Sequence, residues 1–213
     1  MRVLVTGGGS GIGAAIANAL EGAGHTVIVC GRRPIDRPGA VVWDVTKDPE
    51  GLIAQAGPLD ALVNNAGHAL HVPVTGWTEA VWMDLYRVHV VAPALLSRAF
   101  AAQASEGAIV NVCSTLAVRT APGTGPYSAA KAALLSQTRT LAMELAPAIR
   151  VNAVLPGGVD TAMVSDRREA LGALHPLGLG RPEDIAQAVL YLLTARWTTG
   201  TALTIDGGLT AEG

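Results

Sequence analysis

A single α/β domain over residues 1–213, built on one doubly wound parallel sheet, is the fold this sequence predicts. Three observations predict it. Short β-branched runs alternate with segments of helical period, the pattern of strand–helix–strand units. The runs are apolar at consecutive positions, as in strands covered on both faces. A cluster of glycines joins the first run to the first helix. There is no internal repeat, low-complexity tract or linker, and 213 residues is enough to bury a substantial core in one domain.

Taken in order, RVLVT at 2–6 is the first strand, and after the glycines Ile12, Ile16 and Leu20 keep the spacing of one helical face. HTVIVC at 25–30, AVVWDV at 40–45, ALVNNAG at 61–67, AIVNVCS at 108–114 and RVNAVLP at 150–156 are further strands, and ALTIDGG at 202–208 is the last. Helices fall near 77–103, 127–146 and 182–194. The last is entered through Arg181-Pro182-Glu183-Asp184, where Pro182 suits a first-turn position. Between the second and third strands lie only about ten residues, GRRPIDRPGA, with Pro34, Pro38 and Gly39 among them. A parallel crossover usually contains a helix, and none fits there, so this crossover is expected to be a shortened, loop-like one.

Apolar residues make up 50% of the chain and charged residues 15%, with a mean hydropathy of +0.37. So much apolar surface must be buried in a core or against other subunits, and a dimer or tetramer is expected. The net charge of -2, with no run of Lys or Arg, offers no field for nucleic acid. MRVLV is too short for the apolar part of a signal peptide, and no stretch reaches the roughly 18 apolar residues of a membrane helix. Cys30 and Cys113 form neither a CxxC nor a metal-spaced set, and are read as reduced core thiols of a cytoplasmic protein.

Two motifs carry chemistry. Thr6-Gly7-Gly8-Gly9-Ser10-Gly11-Ile12-Gly13 lies between a strand and a helix. Glycines there let the backbone approach a pyrophosphate, whose charge then meets the helix N-terminal amides; the bland reading is a plain glycine-rich turn. Tyr127 and Lys131, at i and i+4, share one face of a helix. A phenol of reference pKa near 10 is a poor base at neutral pH, and a nearby ammonium favours the phenolate. Ser114, at the end of the strand 108–114, can offer a hydroxyl to a carbonyl or alkoxide oxygen. A Tyr–Lys pair alone is commonly a surface coincidence; beside the glycine loop it is not.

These motifs, with Asp44 after the third strand, NNAG at Asn64 to Gly67, PGGVDT at Pro156 to Thr161 and the terminal IDGG, resemble the short-chain dehydrogenase/reductase family in its single-domain Rossmann form, over nearly the whole chain. The resemblance implies hydride transfer between a nicotinamide ring and a ketone or secondary alcohol. Tyr127 would act as acid or base and Ser114 would hold the substrate oxygen. Lys131 would lower the tyrosine pKa and bind the nicotinamide ribose. It further implies that Gly7, Gly9, Ser10, Gly11, Ile12 and Gly13 hold the pyrophosphate and that Asp44 and Val45 frame the adenine. Asn65, Ala66 and Gly67 would line the cofactor cleft with Pro156 and Gly157, and Val159 and Thr161 would meet the carboxamide.

The family usually has an Asn in the helix after NNAG, supporting a water in a proton relay to Lys131; here that position is His89. A relay role for its imidazole, with a pH dependence on the acidic side, stands beside a plain core role. No metal site is expected, because His68 and His71 have no nearby Cys, Asp or Glu to complete a set, and they are expected to edge the substrate cleft. An acid at the end of the second strand would mark NAD, but Gly31 is there, followed by Arg32 and Arg33. NADP is therefore expected, with NAD kept as an option because Asp36 can reach a ribose. Residues 162–180 occupy the place of the family's variable substrate lid, which leaves the substrate a small ketone or alcohol of unstated identity. The alternative, supported by the missing Asn and the trimmed sheet edge, is a catalytically weak nucleotide-binding sensor or scaffold.

Overall fold

Seven parallel strands, in the order β3-β2-β1-β4-β5-β6-β7, form the sheet of the computed structural model, which describes residues 1–211 and, within them, all side chains but those of 165 and 166. The strands are β1 (Arg2–Thr6), β2 (Thr26–Gly31), β3 (Val41–Val42), β4 (Ala61–Asn64), β5 (Gly107–Val112), β6 (Ile149–Pro156) and β7 (Ala202–Ile205). Val3 and Val5 pack under α1 (Gly11–Gly22) and α7 (Pro182–Thr194), while Leu4, between them, points to the opposite core. That second core is closed by α2 (Pro49–Ala56) and α4 (Ala92–Gln103), and α5 (Gly125–Leu145) lies on the same side. Burial on both faces is why the strands read as unbroken apolar runs.

The crossover after β2 holds no helix, as its prolines require. Its residues are pinned elsewhere: Arg37 pairs with Glu21 at 2.9 Å and donates to Asn18 on α1, and Ile35 packs over Gly9 and Gly31. The third strand is shorter than its sequence pattern. Only Val41 and Val42 pair, because Trp43 turns to donate to the carbonyl of Asp48 and Asp44 folds into a turn with Thr46. Helix α2 has no counterpart among the expected elements, although Asp48, Pro49 and Glu50 are a helix start in the sequence: Asp48 accepts from the amide of Gly51 at 2.8 Å.

The helix expected at 77–103 runs in three stretches, α3 (Glu79–Tyr86), a π turn (Arg87–Val91) and α4. The widened turn has a local cause. Pro93 lacks the amide that would bond the carbonyl of His89 in a regular helix, and the amide of Ala92 reaches five residues back to Arg87. His89 sits in this turn and faces inward. A buried polar ladder ties the sheet to α5: Asn64 donates to Asn111 at 2.9 Å, and Asn111 to Thr138 at 2.8 Å. This network fixes the register of α5, and with it Tyr127 and Lys131, against the strand ends.

Candidate active site

The carboxyl ends of β1, β4, β5 and β6 lie along one edge of the sheet, so the loops that follow them converge. Thr6 ties two of them together, its hydroxyl accepting from the amides of Asn65 and Ala66 at 3.0 Å each. The Asn65 amide returns the bond to the carbonyls of Thr6 and Gly7 at 2.9 and 3.2 Å. Close approach explains the glycines here. A Cβ on Gly13 would meet the Gly7 oxygen at 2.2 Å, and one on Gly7, whose φ is +66°, would meet the Ala66 Cα at 2.9 Å.

A cleft of about 370 Å³ runs from this loop to Ser114, Tyr127 and Lys131, continuing past Pro156, Gly157, Val159 and Thr161. Gly7, Ser10, Gly11, Ile12, Gly13, Asn65, Ala66, Gly67 and His89 line it too. A smaller cavity of about 160 Å³ adjoins it at Gly7 and Ala66 and is walled by Arg32, Asp44 and Val45. The structure thus brings together nearly every expected residue. Gly9 and Arg33 are exceptions: both are exposed and line neither cavity. Asp44 spends one carboxylate oxygen on the amide and hydroxyl of Thr46; burial pulls its pKa up, but those bonds, Lys47 and Arg32 outweigh it and hold the acid below its usual value.

Lys131 is buried and donates to the carbonyl of Val112 at 2.9 Å, its ammonium 5.7 Å from the centre of the Tyr127 ring. Burial brings its pKa down to about 8. The ammonium lies against the ring face, and burial, with the Cys113 thiol, pushes the phenol above its usual value against the opposing hydrogen bond of Ser114. Tyr127 is therefore a protonated acid at neutral pH. Cys30 and Cys113 are buried and unbridged, with burial raising both thiols, Cys30 to about 12.

His89 is 2% exposed. Its Nε2 lies 2.7 Å from the carbonyl of His68, which can only accept, so Nε2 carries the proton and Nδ1 presents a bare lone pair. That Nδ1 is buried without a hydrogen-bond partner, and the ring meets Tyr127 edge to face at 5.2 Å. Burial, reinforced by the charge of Lys131, takes its pKa down to about 2. This corrects the expectation of an acidic limb from His89: the imidazole stays neutral throughout the working range. His68 does not edge the substrate cleft as expected; it lines the two cofactor-side cavities and pairs with Asp84 at 2.7 Å. His71 does edge it. No cluster of His, Cys, Asp and Glu among the described residues could hold a metal.

A third cavity, of about 630 Å³, shares Ser114, Tyr127 and Gly157 with the first and extends under the segment 162–175. The lid expectation for 162–180 thus meets a cavity wall, apart from side chains 165 and 166, which lie outside the described residues. Three wall residues had no signal in the sequence. Arg119 and Arg167 face the chamber. His175, 4% exposed, accepts from the amide of Gly158 at 2.8 Å through Nε2 and donates to Leu171 through Nδ1, which ties the lid to the loop after β6.

A family model described as enoyl-(acyl carrier protein) reductase matches residues 7–210. A cis-4-hydroxycyclohexanecarboxylate dehydrogenase from Sinomonas cyclohexanicum is 37% identical, covering 98% of this chain and 96% of its own. The chain belongs to the short-chain dehydrogenase/reductase family. Like its relatives, this short-chain dehydrogenase/reductase is an oxidoreductase that acts on alcohol or carbonyl groups with a nicotinamide cofactor. Two solved structures superpose on it. 4-Hydroxyisoleucine dehydrogenase complexed with NADH has a TM-score of 0.91 at 29% identity, over 100% of this chain and 99% of that one. ElxO with NADP bound has a TM-score of 0.92 at 25% identity, over 99% of both chains. The alignment with the Sinomonas enzyme runs over 240 positions against 213 residues here, so that relative carries segments this chain lacks.

Proposed function

We propose that this enzyme reduces a ketone to a secondary alcohol, and reverses that reaction, with NADP(H), and that Tyr127 exchanges the proton on the substrate oxygen. One observation carries the reading: Ser114 and Tyr127 stand on the wall shared by the dinucleotide-sized cleft and the 630 Å³ chamber, with Lys131 behind them on the cleft side. The cleft suits the cofactor on its own geometry. Gly13 lets α1 pack tightly on the loop, where a Cβ would clash with the Gly7 oxygen, and α1 starts after Ser10 without a side-chain cap or an acidic residue in its first turn, which leaves its amides to an anion. When bound, the nicotinamide supplies or takes the hydride at the substrate carbon. Ser114 orients the carbonyl oxygen, and the Tyr127 phenol, protonated at neutral pH, gives it the proton that completes the alcohol. Lys131 takes the ribose, and the bare Nδ1 of His89 accepts from a proton donor beside Lys131, the task of the family's Asn.

The preference for NADP rests on Arg32, which lines the adenine-sized cavity beside Asp44, with Gly31 where an acid would repel a 2′-phosphate. Arg32→Ala should weaken NADPH binding at least tenfold, about 1.5 kcal/mol for a lost charge-assisted hydrogen bond at an exposed site, and leave NADH binding nearly unchanged. Fluorescence titration with each cofactor checks it, and equal losses for both would remove the phosphate role.

A cytoplasmic setting fits the two unbridged buried cysteines. The reading includes a homodimer or homotetramer built on the helices around 79–103 and 125–145, where Val91 is 44% and Met143 82% exposed. Light scattering at micromolar concentration should give two or four chains per particle; a monomer would count against that assembly.

A further inference from the structure

We propose that the substrate is a hydroxy or oxo carboxylic acid with an apolar body, its carboxylate held by Arg119 and Arg167, an inference that rests on the oxidoreductase reading above. The wall of the chamber of about 630 Å³ carries both hydroxyls and cations. Ser114 and Tyr127 supply hydroxyls at the end shared with the cofactor cleft. Arg119 and Arg167 supply guanidiniums, and Leu70, Leu116, Val164, Leu171, Leu174 and Leu209 make much of the rest of the wall apolar.

Neither arginine is spent on the fold. Arg119 follows the short turn after Ser114, its backbone amide bonded to Thr115 at 3.0 Å, and Arg167 ends the short helical segment Ala162–Arg167. Both are half-buried, and among the described residues neither has an ion pair and no Asp or Glu lines the chamber. The contrast with the next residue is informative: Arg168 is paired with Asp160, while Arg167 is left to the cavity. Two uncompensated cations beside an apolar wall are costly unless an anion arrives with the ligand, and the planar guanidinium matches a carboxylate fork to fork. The amides of Gly157 and Gly158 on its wall are already bonded, to Ile205 and His175, so the arginines are the chamber's means of holding an anion. A chamber of this size suits a small molecule. An acid group at one end of the substrate then fixes which carbonyl or carbinol carbon stands beside Ser114 and Tyr127.

The test pairs acids with neutral analogues of the same length. Turnover of 5-oxohexanoate should exceed that of 2-hexanone by at least about tenfold in kcat/KM, and Arg119→Met and Arg167→Met should each raise KM for the acid by roughly tenfold to a hundredfold with much smaller changes in kcat. Arg168→Met, next in sequence but paired with Asp160, should keep the preference for the acid. Calorimetry on the cofactor-loaded protein gives a second readout, in which hexanoate should bind and hexanamide should not, with hexanoate binding lost in the two Met variants. Equal behaviour of acid and neutral analogue, whether both bind or neither does, overturns the inference, as does preference for a phosphate ester over the acid. Hexanoate binding that depends on the two arginines, without turnover of any ketone or alcohol, would instead keep the carboxylate site and sink the oxidoreductase reading.

Discussion

Tyr127→Phe should lower kcat by roughly 10²–10⁴-fold, because on the proposed mechanism it deletes the hydroxyl that exchanges a proton with the substrate oxygen while keeping the ring. Stability should fall by no more than about 1 kcal/mol, the worth of one hydrogen bond, here with Ser114, and cofactor binding should be largely intact. Absorbance of the reduced nicotinamide follows turnover, and a fluorescence titration follows binding. A Phe variant with half the wild-type rate would remove Tyr127 from the chemistry. Lys131→Ala should differ in kind, weakening the cofactor as well as turnover, since a buried ammonium in the cleft is given up. The direction of the Tyr127 shift has a consequence for pH. With the phenol held above its usual value, its acid form persists through neutral pH, so reduction needs no high pH, whereas alcohol oxidation, which needs the phenolate, should climb through the alkaline range.

His89 should cost the protein stability in acid. Its pKa falls from 6.5 in the unfolded chain to about 2 in the fold, driven first by burial and then by Lys131. A base with a lowered folded pKa binds fewer protons when folded, so its contribution is complete above the unfolded value and is lost as the pH drops toward the folded one. Between pH 7 and pH 4 the loss is about 3 kcal/mol. His89→Asn removes that titration, and its urea midpoint should fall less over the same pH interval than the wild-type midpoint does; parallel curves would show that the imidazole is not held neutral. Kinetics separate a working imidazole from filler. His89→Asn should keep substantial activity, because its amide can still serve a proton donor, while His89→Leu should lower kcat far more than it lowers stability and leave KM nearly unchanged. Neither substitution should move the acidic limb of the rate profile, since the wild-type ring does not titrate there. A Leu variant as active as wild type would make His89 a packing residue.

The alternation of apolar runs and helical segments and the glycine loop determined the fold and the nicotinamide class, and the i to i+4 spacing set Tyr127 and Lys131 on one helix face, because each depends on local spacing: a period, a turn, or a helical pair. The prolines at 34 and 38 determined the trimmed crossover in the same way, by excluding a helix. Helix α2 was also legible, in Asp48-Pro49-Glu50, but is only eight residues long and follows a strand that breaks off after Val42. Where the side chains point was settled by packing between segments distant in the chain. Nothing near His89 in the sequence says that the His68 carbonyl would accept its N–H or that burial, with Lys131, would keep it neutral, and nothing near His68 says that Asp84 would turn it from the substrate cavity. Gly9 belongs to the loop motif, yet the fold leaves it exposed and off the cleft wall. Arg119 and Arg167 stand 48 positions apart and read as ordinary surface cations until the fold sets both on one chamber, with no acid on its wall among the described residues. Charge, burial and access are properties of what surrounds a residue, and only the tertiary structure assembles those surroundings.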